Sequence, residues 1–290
     1  KMTNKGWEFR VDAVPFQNKD WRVGVYFNIA HNENKITEMP DNYIEENYTF
    51  GNGNYAYRRE EGRPMGSFYG YRYKGVYQNK DATYARDIEG NVMKDISGNA
   101  IVMRNGSYTV APGDAIYEDV NHDGVINQYD IVYLGNSNPR LTGGAGLNVS
   151  YKQFKLSAIF YGRYGQDVVN ATRLNNESMR GIDNQSTAVL RRWRNEGDQT
   201  DIPRALYGEG YNTLGSDRFV EDASYLRLKS LSFTYRLPKK AIQRWGFNNI
   251  DVYVTGYNLF TWTKYTGQDP EVKTENTYAR DTATTPASIQ

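Results

Sequence analysis

The sequence predicts an all-β protein: a segment of an antiparallel transmembrane β-barrel, with short periplasmic turns at one end of its strands and long extracellular loops at the other. Three observations point there. Six stretches alternate apolar and polar residues with a period of two. The turns joining them in pairs are short, whereas the segments between pairs run long. Aromatic residues make up 14% of the chain, and they gather where the alternating stretches end. Together these are the marks of an outer-membrane barrel.

The first pair of strands opens the chain. In "WEFRVDAV", Trp7, Phe9, Val11 and Ala13 share one face, and Glu8, Arg10 and Asp12 share the other. After the polar turn "QNKD", Trp21, Val23, Val25, Phe27 and Ile29 repeat the apolar row, with Arg22, Gly24, Tyr26 and Asn28 opposite. Alternation across a short turn is a β-hairpin with one apolar and one polar face. "LTGGAGLNVSYKQFKLSAIFYG" gives the second pair. Its strands lie near 141–151, with Leu147, Val149 and Tyr151, and near 154–163, with Phe154, Leu156, Ala158 and Phe160. The third begins in "SYLRLKSLSFTYRLP" with Leu231, Phe233, Tyr235 and Leu237. It returns after a turn region at 238–248 in "NIDVYVTGYNLFTW" with Ile250, Val252, Val254, Phe260 and Trp262.

The connections between pairs, about 32–140 and 164–223, are expected to be large extracellular loops, and a tail follows residue 263. A chain that leaves by 20–31 and returns by 141–151 must begin and end the intervening segment on one side of the membrane. The strand-like "SFYGYRYKGVYQ" (67–78) is therefore expected above the bilayer or folded within the loop.

A soluble β-sandwich alternates in the same way. Two features favour the membrane: the strands exceed the usual five or six residues, and Trp7, Trp21, Tyr151, Tyr235, Phe260 and Trp262 stand at strand ends. Trp7, Val11, Val23, Val25, Phe27, Leu156, Phe160, Phe233, Val252 and Val254 are then expected to face lipid. Arg10, Asp12, Arg22, Lys155, Thr234 and Asp251 are expected to face the lumen. Closed bacterial barrels start at about eight strands, so six spanning strands belong to a larger barrel.

Composition excludes other classes. A formal net charge of +1 gives no footprint for nucleic acid. The absence of Cys removes disulfides, thiolate metal sites and Cys catalysis, and the two His, His31 and His122, make a His-based enzyme improbable. No apolar run reaches 18 residues, so no transmembrane helix is expected. The opening "KMTNKGWEFR" has no secretory-signal pattern, which reads as an internal piece of a longer precursor.

A family resemblance rests on a series of segments: "NKGWEFRV", "EGRPMGSFYGYRYKGVYQ", "PGDAIYEDVNHDGVINQYDIVYLGNSNP", "RRWRNEGDQTDIPR", "FVEDASYLRLKSLSFTYRLP" and "VYVTGYNLFTWTKYTGQDPEV". Their order and spacing over nearly all of residues 1–290 resemble the carboxy-terminal part of SusC/RagA-type TonB-dependent transporters of the bacterial outer membrane. The resemblance implies a barrel of about 22 strands with an amino-terminal plug and a TonB-contacting segment. It also implies a SusD-like surface lipoprotein acting as a lid, and import of oligosaccharides or oligopeptides. Plug and TonB segment are expected in the remaining part of the protein. The family's last strand ends on an aromatic residue, whereas this sequence stops at "TTPASIQ", so the closing strand is expected to be absent.

Within the long loop, "DVNHDGVINQYD" (119–130) has the register of a calcium loop of the EF-hand type. Such loops take oxygen ligands from positions 1, 3, 5, 7, 9 and 12, with Gly at position 6 for the sharp turn. Those positions are Asp119, Asn121, Asp123, the Val125 carbonyl, Asn127 and Asp130, with Gly124 at the turn and Ile126 placed to anchor the loop. Asp replaces the usual Glu at the last position. The bland alternative is a polar turn whose side chains cap their own backbone. A structural Ca²⁺ is expected here.

Tyr69, Tyr71 and Tyr73, with Tyr55, Tyr57, Phe68 and Tyr77, are candidates for aromatic platforms that stack cargo, against the plainer reading that they pack the loops. "RRWR" (191–194) is cancelled by the acidic residues after it and reads as a packed loop element or a contact with the lid. Glu60 with Glu61 and Glu118 with Asp119 are adjacent carboxylates of the solvated kind, and no catalytic residues are expected. The competing functional reading is a soluble, calcium-stabilised carbohydrate-binding β-domain.

Overall fold

The structure is a computed structural model that describes residues 1–40, 48–50, 55–271, 274–275 and 278–281. The chain divides into two units. One comprises Lys1–Lys35, Asn138–Gln166 and Asp222–Tyr265, and the other Ile36–Ser137, Asp167–Glu221 and Thr266–Gln290.

The first unit is one six-stranded antiparallel sheet: β1 (Met2–Gln17), β2 (Trp21–Ile36), β3 (Leu141–Tyr151), β4 (Phe154–Tyr164), β5 (Tyr225–Arg236) and β6 (Asp251–Thr263), neighbours in that order. Strands of 11, 11, 12 and 13 residues in β3 to β6 match the length needed to cross a bilayer at a tilt. β1 and β2 are longer, 16 residues each. β2 continues beyond the expected 31 to Ile36, where Asn34 Nδ2 donates to Asn4 Oδ1 of β1. The turns share one end: Lys152 N donates to Asp20 O and Arg236 N to Gln153 O, each at 2.8 Å. The connection from β5 to β6 carries short helical turns at Lys239–Ile242 and Gln243–Trp245, buries Ile242, and reverses at Gly246 with φ 78°.

Paired residues in an antiparallel sheet share a face, so the register divides the wall. Val23, Val149, Leu156, Phe233 and Val254 form one continuous apolar row, and Trp21, Tyr151, Phe154, Tyr235 and Val252 form the next. The opposite face carries Arg22, Ser150, Lys155, Thr234 and Tyr253 in one row and Gly24, Asn148, Ser157, Ser232 and Thr255 in another. A bulge interrupts the alternation: Leu228 pairs with Phe260 and Ser230 with Tyr257, so the register shifts at Lys229, and Asn258 adopts φ 51°. The bulge returns Leu226 and Leu228 to the apolar face.

This sheet has no packed core of its own among the described residues. Phe27, Phe233, Val254, Phe260 and Trp262 are between 46% and 74% exposed, all on the apolar face. An apolar surface so large and continuous is untenable in water and natural against hydrocarbon, which removes the soluble β-domain reading.

The second unit has its own cores. Ser67–Gly70 pairs with Val132–Asn136 and with Tyr55–Tyr57, and Tyr73–Val76 pairs with Ala115–Tyr117. Segment 67–78 is therefore folded within the loop. One core gathers Tyr71, Tyr77, Ala85, Met103, Val110, Ala115, Tyr117, Ile126, Tyr211 and Leu214; another gathers Tyr55, Phe68, Val169, Leu174 and Phe219. The tail expected to lack a closing strand, "TTPASIQ", lies outside the described residues.

Arg placed at Val25 should destabilise the membrane-inserted protein by about 2–4 kcal/mol if the site lies at mid-bilayer, whereas Lys at Asn148 on the polar face should be near neutral. Denaturant unfolding in lipid vesicles measures both. Equal penalties on the two faces would contradict the assignment.

Candidate functional site

On the polar face of the wall the acidic groups near the turns are paired. Arg10 holds Asp12 through Nε (2.7 Å) and a second nitrogen (3.1 Å), and Arg236 holds Asp251 in the same two-pronged way at 2.8 and 2.9 Å. Towards the other end Tyr161 and Arg227 are directly opposed, as are Arg163 and Tyr225, and the Arg227 guanidinium lies 5.2 Å from the Tyr225 ring centroid. The polar face of the wall thus presents hydroxyls, amides and cations.

In the loop unit, residues 119–130 fold as a tight Asp/Asn/Gly loop. Gly124 takes φ 79° at the sharp turn, and His122 takes φ 57°. Ile126 is fully buried and anchors the loop as expected: Arg104 N donates to Gly124 O, and Ile126 N to Arg104 O. Asp119 accepts from Asp123 N and Gly124 N, Asn121 accepts from Asp123 N, and Asp123 accepts from Val125 N. Asn127 caps the short helical turn Gln128–Asp130. Asp130 is completely buried and accepts from Val120 N and Asn127 N, each at 2.8 Å. Among the described residues no three His, Asp or Glu side chains converge on one point. The carboxylates are turned onto the loop's own amides.

Asp130 nevertheless differs from an ordinary turn aspartate. Burial, and then the negative charges of Asp119 and Asp123, push its carboxyl above the usual range against the two amide bonds that favour ionisation. Asp87 and Asp95, which cap exposed turns, are shifted down instead, chiefly by the amides of Asn91 and Asn99.

The tyrosines considered as stacking faces make contacts within the loop unit. Tyr69 is 2% exposed, donates to Glu60 Oε2 at 2.7 Å and meets Tyr133 edge-on. Tyr71 is 6% exposed and packs on Tyr117. Tyr73 donates to Asp201 O, and its ring lies 5.3 Å from the Arg218 guanidinium. Tyr55, Phe68 and Tyr77 are buried as well, while the ring of Tyr57 lies outside the described residues. In this unit tyrosines serve as core alongside aliphatic residues, and several give their hydroxyls a partner, as Tyr55 does with Ser216 O and Tyr117 with Tyr211 O.

Sequence reasoning missed the hub of this unit. Asp114 is completely buried, accepting from Arg204 Nε (2.7 Å), Tyr108 Oη (2.7 Å), Ala111 N (2.8 Å) and Asn212 Nδ2 (3.2 Å). Trp193 of "RRWR" packs on Gly113, whose φ is 89° and where a Cβ would fall 2.3 Å from the indole. Nearby in sequence, Glu177 is buried between Arg173 and Arg218 at 2.9 and 2.8 Å.

A strand-only wall with an apolar outer face and a polar inner face defines a transmembrane β-barrel segment. Comparison with known proteins narrows the class. No family model matches the chain. TonB-dependent receptor P3 of Formosa agariphila is 32% identical over 283 residues, covering 95% of this chain and 26% of that protein. TonB-dependent receptor SusC of Bacteroides thetaiotaomicron is 28% identical over 94% of this chain and 24% of its own length. The solved RagAB peptide transporter matches 93% of this chain and 27% of the compared one, with a TM-score of 0.68 and 26% identity. Over nearly its whole length the chain matches SusC/RagA-type TonB-dependent receptors as a carboxy-terminal fragment of them would. It spans about a quarter of the length of the curated relatives it matches. Those relatives are named as receptors and transporters.

Asp114→Ala would leave the Arg204 guanidinium and the Asn212 amide without their buried acceptor. Removing one partner of a buried pair costs about 3–5 kcal/mol, so segments 103–117 and 193–216 should become protease-sensitive while the wall stays intact. Unchanged cleavage of both segments would count against the hub.

Proposed function

We propose that this chain supplies wall strands and extracellular loops to a TonB-dependent importer of nutrient oligomers, oligosaccharide or oligopeptide, in the bacterial outer membrane. The observation that carries the reading is the two-faced sheet, apolar on one face and polar on the other across five registered strands with β1 beside them. The likeness to SusC and RagAB supports it. A SusD-like surface lipoprotein is the proposed lid, and TonB engages through the remaining part of the receptor, which also supplies the plug and the other strands. Deleting the whole receptor should abolish growth on its oligomer, with the same loss on removing TonB; growth without TonB would refute energised import. The receptor should need detergent for extraction.

We also propose a structural Ca²⁺ in loop 119–130, bound by Asp119, Asn121, Asp123, the Val125 carbonyl, Asn127 and Asp130. The full ligand register supports it, as does the electrostatic stress on buried Asp130. Asp123→Ala should abolish calcium binding and loosen 112–135 without disturbing β3 and β4. Identical binding and protease sensitivity in the variant would return the motif to a polar turn.

The metal-free loop has a pH dependence of definite sign. The folded pKa of Asp130 lies above its unfolded value, so its ionisation opposes folding, and stability falls as pH rises from the ordinary aspartate range through the raised value. Mild acidification in chelator should therefore protect the loop from protease, and saturating calcium should erase that gain. Greater protection on raising the pH in chelator would overturn the assignment.

A further inference from the structure

One row in from the turns, on the polar face, Arg22 and Lys155 are both paired with Ser150, which lies between them on β3. Two strand spacings separate their backbones by roughly 10 Å, a distance that two long side chains can close over the serine. Gly24 contributes no side chain beside them, and the result is a hollow of about 530 Å³ bordered by Asp12, Arg22, Tyr26, Asn148, Ser150 and Lys155.

The charge of this hollow is not cancelled from within. Asp12 stands at its edge, but both its oxygens are taken by Arg10, and Asp251 is taken by Arg236. Among the described residues neither the Arg22 nor the Lys155 side chain has a hydrogen bond or an ion pair. Glu8 lies on the same face of β1, towards the end that meets the loops. Cations lining a pore select anions, and a guanidinium fork beside an ammonium suits a carboxylate or sulfate. Both side chains are exposed and solvated, so their attraction is weak and reversible. That suits a group in transit, which must be able to leave.

Resting on the import reading above, we propose that the carried oligomer is anionic and that Arg22 and Lys155, with Ser150 and Asn148 as neutral partners, form a contact for its carboxylate or sulfate groups on the inner wall. The test uses the whole receptor in cells lacking the native copy, with four labelled probes: tetragalacturonate, its methyl ester, tetraglutamate and tetraglutamine. One acidic probe should enter in preference to its neutral counterpart. Arg22→Gln with Lys155→Gln should cut that acidic uptake by about tenfold while leaving entry of the neutral counterpart unchanged. Lumen substitutions of this kind tune selectivity without unfolding a barrel, and heat-modifiable migration of the purified variant checks that it has folded.

Acidic uptake unaltered in the double variant overturns the proposal. So does an equal fall for acidic and neutral probes, which would mean that the pair docks an acidic segment of the receptor itself. Entry of neutral probes alone overturns it too, leaving import intact. Entry of none, with the receptor folded in the membrane, overturns the import reading and the proposal together.

Discussion

The wall depends on one constraint: in hydrocarbon a backbone amide or carbonyl finds no water, so each must be satisfied by a neighbouring strand. β2 to β5 meet this by pairing on both sides from the turns to the loops, with the register shifted at the bulge in β5. Once pairing fixes the register, period-two geometry sends alternate side chains to opposite faces, and the sequence has only to place apolar residues on one of them. The bilayer then serves as the core that the sheet lacks. At the edges, β1 and β6 each have a single neighbour among these six strands, so the same constraint calls for further strands beside them.

The loop unit answers to a different solvent and is built differently. Its interior holds tyrosines, several with bonded hydroxyls, and buried charges held by several partners, such as Asp114 with four donors and Glu177 between two arginines. Buried charges of this kind add little net stability, but losing one partner is costly. They bind segments far apart in sequence, since Asp114 and Arg204 are 90 residues apart. A long loop that must hold one shape in water gains such a shape from ties of this sort.

How much of this was legible follows from the same division. The faces of the wall could be read because alternation is local: Val23, Leu156, Phe233 and Val254 fall on one face by counting alone. The bulge was legible in principle, since Leu226 and Leu228 are out of phase with Leu231 and Phe233, yet a strict period of two passes over Lys229. In the loops no period links a residue to its partner. Nothing in "PGDAIY" marks Asp114 as the hub, because Arg204 and Asn212 reach it from 90 residues or more away, and a row of tyrosines reads equally as platform or core. The 119–130 loop lies between these cases: its register and the anchoring by Ile126 were legible, whereas the turning of its carboxylates onto the loop amides depends on tertiary packing.

The central claim is that one face of this sheet is solvated by lipid and the other by an aqueous interior. The chain has no cysteine, so single cysteines can be introduced in turn at positions 22 to 27 and spin-labelled in the membrane-inserted receptor. Labels at 23, 25 and 27 should be accessible to oxygen and shielded from a water-soluble nickel chelate, and labels at 22, 24 and 26 should show the reverse. Accessibility without a period of two, or with the two sets exchanged, would contradict the account.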